Sequence, residues 1–174
     1  MKSRIFILLI IFSSVLETGL SQGQSRKELN QQRTLEKQKQ VDSLVNSREF
    51  VFIARIAMPT GMSSVNLSSN PNYVKFQPDL IDSYMPFFGT AYSGVGYGTD
   101  TGLKFKGKPE LFKVEKNKNT YQIDAVVKGE TDNFRLSLSV GFWGSASLTI
   151  TTNNRSIISY IGEISSPEKP KDKQ

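Results

Sequence analysis

Side chains in the second half of this chain alternate between apolar and polar with a period of two, and no other feature restricts the fold as much. Tyr121, Ile123, Ala125 and Val127 alternate with Gln122, Asp124 and Lys128; Phe134, Leu136, Leu138 and Val140 with Arg135, Ser137 and Ser139; Ala146, Leu148 and Ile150 with Ser145, Ser147, Thr149 and Thr151. A strand sends successive side chains to opposite faces, so these runs predict antiparallel strands with one dry and one wet side. The breaks between them are turn-like: Gly129 to Asn133, Gly141 to Gly144, and Asn153 with Asn154, a residue type that tolerates positive φ. A last strand is predicted over Ser156 to Ile164.

Earlier segments extend the pattern. Leu103 with Phe105 and Phe112 with Val114 suggest two more strands, divided by Gly107 and Pro109. Phe50, Phe52, Ala54, Ile56 and Met58 fall on one face of a first strand. Val51, Ile53, Arg55 and Ala57 fall on the other, so both faces are largely apolar and the strand reads as central. Tyr73 to Gln77 alternates again, and Val65 with Leu67 marks a short strand or loop between Gly61 and Pro71. About eight strands at this spacing, with no helices between them, predict an all-β antiparallel meander closing into a small barrel, with a two-sheet sandwich as the alternative.

The N-terminal segment is of another kind. Lys2 and Arg4 precede an apolar run from Ile5 to Val15, and Gly19 and Ser21 offer small residues before Gln22, which is the layout of an export signal over residues 1–21. Ser13, Ser14 and Glu17 interrupt the run below the roughly 20 apolar residues a spanning helix needs, so the mature protein is expected to carry no transmembrane span. Residues 22–47 are rich in Gln, Lys, Arg and Glu. Leu29, Leu35, Val41, Leu44 and Val45 form a thin apolar stripe, predicting a polar helix that docks by its last turns. The β-domain then occupies residues 48–165, and residues 166–174, with Lys169, Lys171 and Lys173, read as a disordered tail.

Absent residue types exclude much chemistry. The chain has no cysteine and no histidine. Disulfides, a lipidated cysteine, Ser-His and Cys-His nucleophiles and ordinary zinc sites are therefore ruled out, and no cofactor or metal is implied. The formal charge of +6 is dispersed among acidic and apolar neighbours, so no nucleic-acid partner is indicated.

Three places invite a functional reading. Asp79 to Met85 fits a single helical turn ending at Pro86, with Asp79 and Asp82 as capping residues; a carboxylate pair with Asp124 is the weaker, hydrolytic alternative. Phe87, Phe88, Tyr92 and Tyr97 lie among Gly89, Gly94, Gly96 and Gly98. They suggest either aromatics over a bulged strand pair or a rim at a barrel mouth. Phe142 and Trp143 occupy a hairpin tip, where they either plug the barrel end or meet a partner. Arg55 needs an anion if buried, and Asp124 or Glu163 would supply one. Asn66, Leu67 and Ser68 match the N-glycosylation pattern weakly.

FIARIAMP (Phe52 to Pro59), DLIDSYMPFFG (Asp79 to Gly89), Ala91 with Tyr92, LKFKG (Leu103 to Gly107) and RSIISYIG (Arg155 to Gly162) together resemble the exported bacterial domain-of-unknown-function family 4251. The resemblance covers Arg48 to Ile164. It implies a periplasmic or secreted protein with a fold similar to small lipocalin-like barrels, and brings no activity, cofactor or catalytic residue.

Three functions follow as expectations. The first is a binding or accessory module holding a small apolar or amphipathic ligand behind Phe87, Phe88, Tyr92 and Trp143. The second is an envelope interaction or structural module using the N-terminal helix or the Phe142 and Trp143 tip. The third and weakest is a carboxylate hydrolase. A filled interior favours interaction, and a lined cavity favours ligand binding.

Overall fold

A computed structural model describes residues 26–68, 72–92, 102–129 and 132–167. Residues 1–21, expected to form an export signal, the Gly94 to Gly98 segment with Tyr97, and the tail from residue 168 lie outside the described residues. Residues 26–47 form the helix α1. Contacts divide the chain into Met1–Lys37 and Gln38–Gln174, so the helix is taken in two pieces. In the first piece Leu29 and Leu35 are exposed. In the second, Val41 and Val45 are buried in the core with Leu44 packed beside them, as a stripe confined to the last turns requires. The helix closes on Arg48, which takes a left-handed φ of 58° and donates its amide to the Val45 carbonyl at 3.2 Å.

Ten strands follow among the described residues: β1 (Phe50–Pro59), β2 (Val65–Asn66), β3 (Tyr73–Gln77), β4 (Leu80–Met85), β5 (Leu103–Gly107), β6 (Pro109–Lys116), β7 (Thr120–Lys128), β8 (Asn133–Gly141), β9 (Ser145–Thr151) and β10 (Ile158–Ser165). Nine of them hydrogen-bond in the order β5-β4-β3-β1-β10-β9-β8-β7-β6, with β2 paired to β1 alone, and every pairing is antiparallel. β5 and β6 are separated only by Lys108, so one nearly continuous stretch of chain pairs with β4 and then with β7. Phe105 stacks on Phe134 with centroids 4.1 Å apart, and Phe76 meets Phe112 edge-on at 6.3 Å. These contacts bring the two ends of the sheet together into a nearly closed, barrel-like arrangement.

The interior is the face the alternation predicts along β7, β8 and β9: each apolar residue of that inward register is buried, from Tyr121 to Ile150, while Val126 lies half-buried among the outward positions. Three segments differ from expectation. In β1 the pairing with β10 slips between Ala54 and Ile56, leaving Arg55 as a bulge. One extra residue reverses the facing of everything after it. Ala57 and Pro59 therefore turn inward, and Ile56 and Met58, expected inside with Phe50, are exposed. The bulge fits because Gly162 lies beneath it; a Cβ there would collide with the Ile53 carbonyl oxygen.

Asp79 to Met85 is not a helical turn but the β3–β4 hairpin and strand β4. Ile81, Ser83 and Met85 face inward, and the buried Ser83 hydroxyl donates to the Leu103 carbonyl at 2.9 Å. A serine in the apolar register disguises the period of two. Asp79 and Asp82 consequently cap nothing. Asn153 and Asn154 also turn the chain without positive φ. Their amides instead donate to the two oxygens of the Asp132 carboxylate at 3.0 and 3.3 Å, and the Asn133 amide reaches the same carboxylate at 2.9 Å.

Candidate functional site

The interior is occupied by the protein's own side chains. Tyr121, Tyr160, Phe50, Phe52, Phe76, Ile81, Met85, Leu103, Ile123, Leu138 and Leu148 are each at most 2 % exposed. A side chain bordering a hollow of ligand size would carry accessible surface inside that hollow, and these carry almost none. Two phenols sit within this packing. Tyr160 donates to the Pro86 carbonyl at 2.6 Å, and burial pushes its ionisation well above the ordinary value of 10.0, Arg155 opposing weakly. The Tyr121 hydroxyl has no hydrogen-bond partner among the described residues.

The aromatic candidates divide between the two ends of the sheet. At one end Phe87 is buried under the Arg155 guanidinium, 5.3 Å from its ring centroid, Phe88 is half-buried, and Tyr92 is 70 % exposed. Backbone bonds from Tyr92 to Asn154 and from Ser156 to Thr90 tie this segment to the chain entering β10, and Arg155 also donates to the Gly102 carbonyl at 3.1 Å. Phe142 and Trp143 lie beyond the other end of β10, where the Ile164 amide donates to the Gly144 carbonyl at 2.8 Å. From Ser156 to Ile164 an extended strand spans about 25 Å. Trp143 therefore does not share a site with Phe87, Phe88 and Tyr92. The tip pair is itself split: Phe142 packs on Tyr121 at 5.6 Å between centroids, whereas Trp143 stays 59 % exposed.

The carboxylates do not assemble a hydrolytic pair. Asp79 lies 3.4 Å from the Lys108 ammonium and Asp82 lies 3.6 Å from that of Lys106, both on the outside of the β3–β4 hairpin. Asp124 is on the outer face of β7, accepting from Ser137 at 2.8 Å. Arg55 pairs with Glu163, one of its two anticipated partners, but on the surface, because it alternates with the inward-facing Ala54 and so shares the outer face with Ile53. Among the described residues no three His, Cys, Asp or Glu side chains cluster as metal ligands, and no helix is long and apolar enough to cross a membrane.

What the sequence reasoning missed lies outside the sheet. Ile53, Ile56, Met58, Tyr84 and Ile161 are each 36 to 43 % exposed, with Tyr73 half-buried among them. The register makes them neighbours: Tyr84 lies opposite Tyr73, Tyr73 opposite Ile53, and Ile56 opposite Ile161. The Tyr73 and Tyr84 rings stack with centroids 6.0 Å apart. This strip crosses the outer faces of β4, β3, β1 and β10. Its signal was the apolar character of both faces of β1, which marks a central strand and equally a strand with an uncovered outer side.

Comparison with known proteins agrees with the fold. No curated protein matches the chain significantly. A crystal structure of a DUF4251 family protein from Bacteroides eggerthii DSM 20697 superimposes with a TM-score of 0.59 at 17% sequence identity, covering 75% of this chain and 87% of that one. The profile of the domain of unknown function DUF4251 matches residues 32–164. With three quarters of its length inside that profile, the chain belongs to the DUF4251 family.

Proposed function

We propose that this protein is an exported, non-catalytic interaction module of the cell envelope, working through the outer face of its sheet and not through a ligand held inside the barrel. One observation carries the reading: the large interior side chains are almost fully covered, while Ile53, Ile56, Met58, Tyr84 and Ile161 form an uncovered apolar strip on adjoining strands. Monomeric proteins seldom leave contiguous apolar surface uncovered without a partner for it. Export rests on the basic, apolar and small-residue layout of residues 1–21.

The test is the double variant Ile56→Asp with Ile161→Asp. Both positions face outward, so thermal unfolding should shift little, while crosslinking in intact cells from a photoreactive residue at Met58 should lose its protein adducts. Adducts that persist in the folded variant would overturn the reading.

A second reading keeps a small apolar or amphipathic ligand at another place with exposed aromatic surface, the Phe88 and Tyr92 end beside Arg155. Native mass spectrometry of the gently purified protein checks it: a bound small molecule lost in Tyr92→Ala supports it, and bare protein counts against it.

A further inference from the structure

We infer that β6 joins a second copy of this chain edge to edge, in an antiparallel two-fold pairing centred on Val114. This contact is separate from the outer strip, since none of its residues belongs to β1, β3, β4 or β10.

β6 ends the order of the sheet and pairs with β7. The ladder with β4 accompanies the chain only as far as Gly107, so among the described residues the other edge of β6 meets no strand. Which backbone groups lie along that edge follows from the hairpin. The Asn117 amide donates to the Thr120 carbonyl at 2.8 Å, so these two residues form a hydrogen-bonded pair. Antiparallel ladders alternate between hydrogen-bonded and non-hydrogen-bonded pairs. Counted back along the register, Glu115, Lys113 and Leu111 turn their backbone groups to β7, and Lys116, Val114 and Phe112 turn theirs away. The end of α1 reaches β6 through side chains of this second set, Asp42 meeting Lys116 at 2.9 Å and Arg48 lying 4.9 Å from the Phe112 ring centroid. The regular edge runs from Leu111, beside the irregularity after Pro109, to Asn117 at the turn, and its midpoint is Val114.

Two antiparallel copies must set residues with outward backbone groups opposite one another. That leaves a two-fold axis through Lys113, Val114 or Glu115 for any pairing near the middle of the edge. The first sets Lys113 against Lys113 and the last Glu115 against Glu115, and like charges directly opposite are destabilising. The axis through Val114 instead sets Lys113 against Glu115 of the second copy, twice, in non-hydrogen-bonded pairs, where side chains approach most closely. Val114 then bonds to Val114, and Phe112 to Lys116 in both directions. Lys113 and Glu115 already form an ion pair along their own strand. Across the axis the two pairs close into a ring of alternating charge, so neither partner has to be released.

Charges on an edge strand ordinarily hold other strands off. Here their signs alternate symmetrically about Val114, which a self-complementary two-fold contact requires and a foreign strand does not.

Sedimentation velocity of the purified protein from micromolar to millimolar concentration should show a monomer–dimer equilibrium that raised salt weakens. Lys113→Glu and Glu115→Lys should each weaken the dimer on the order of tenfold. An equimolar mixture of the two variants should recover it, since each glutamate then faces a lysine. Both positions are exposed, so the fold tolerates the changes. In hydrogen exchange the Phe112, Val114 and Lys116 amides should slow as concentration rises, while the Lys113 and Glu115 amides, already bonded to β7, should not change.

A monomer throughout that range would overturn the inference. A dimer indifferent to Lys113→Glu forms elsewhere and would overturn it too, as would a mixture of the two variants that stays monomeric. Protection of the Phe112, Val114 and Lys116 amides that does not depend on concentration would overturn it by showing that the chain covers this edge itself.

Discussion

Tyr160 donates its phenolic hydrogen to the Pro86 carbonyl at 2.6 Å, tying the middle of β10 to the chain leaving β4. Tyr160→Phe removes that bond and should lower stability by about 1 to 2 kcal/mol in urea unfolding at neutral pH. The same burial that favours the bond raises the folded-state pKa above the unfolded value of 10.0. Stability from this group is thus complete below pH 10 and declines as pH climbs past it. The gap between wild type and Tyr160→Phe should narrow above pH 10, and a gap that widens there would contradict the assignment.

Tyr121 should behave in the opposite way. Its hydroxyl is buried with no partner among the described residues, beside Phe142 and below the Lys116 ammonium, which lies 5.2 Å from the ring centroid. Replacing it by phenylalanine removes a polar atom and keeps the ring. Urea midpoints for Tyr121→Phe should equal or exceed wild type, by up to about 1 kcal/mol.

Gly162 allows the Arg55 bulge, since any side chain there meets the Ile53 backbone. Gly162→Ala must push β1 and β10 apart and should cost about 3 kcal/mol. Differential scanning calorimetry would show a Tm lower by about 10 °C. An unchanged Tm would mean that the two strands are not held this closely.

Asp132 holds three backbone amides, from Asn133, Asn153 and Asn154, and so joins the β7–β8 turn to the chain between β9 and β10. Charge-assisted bonds of this kind are the stronger ones. Asp132→Ala should cost about 2 kcal/mol and speed hydrogen exchange at the Asn153 and Asn154 amides more than at mid-strand amides of β8.

The strands that could be read directly are those with a wet outer face. In β8 and β9 serines, threonines and an arginine separate every pair of core residues, so burial writes its period into the composition. In β4 the buried Ser83 erased that contrast, and in β1 the bulge at Arg55 reversed it midway without any local mark in the sequence. The candidate aromatics were visible individually, but their grouping was not. Which end of a sheet a turn occupies depends on pairings such as β1 with β10, made between residues roughly a hundred positions apart. The outer strip stayed hidden for the related reason that an apolar residue does not announce which side of a sheet it faces.

Among the described residues β10, the last strand, sits against β1, the first, and no other strand occupies that edge of β1. The sheet therefore cannot be completed until β10 has been synthesised: Phe52 and Ala54 must wait for Ile164 and Gly162. Loop closure of this length is slow, and during the delay the apolar flanks of β1 stand open to other chains. Truncation just before Ile158 should consequently yield an aggregating product, with no smaller folded remnant.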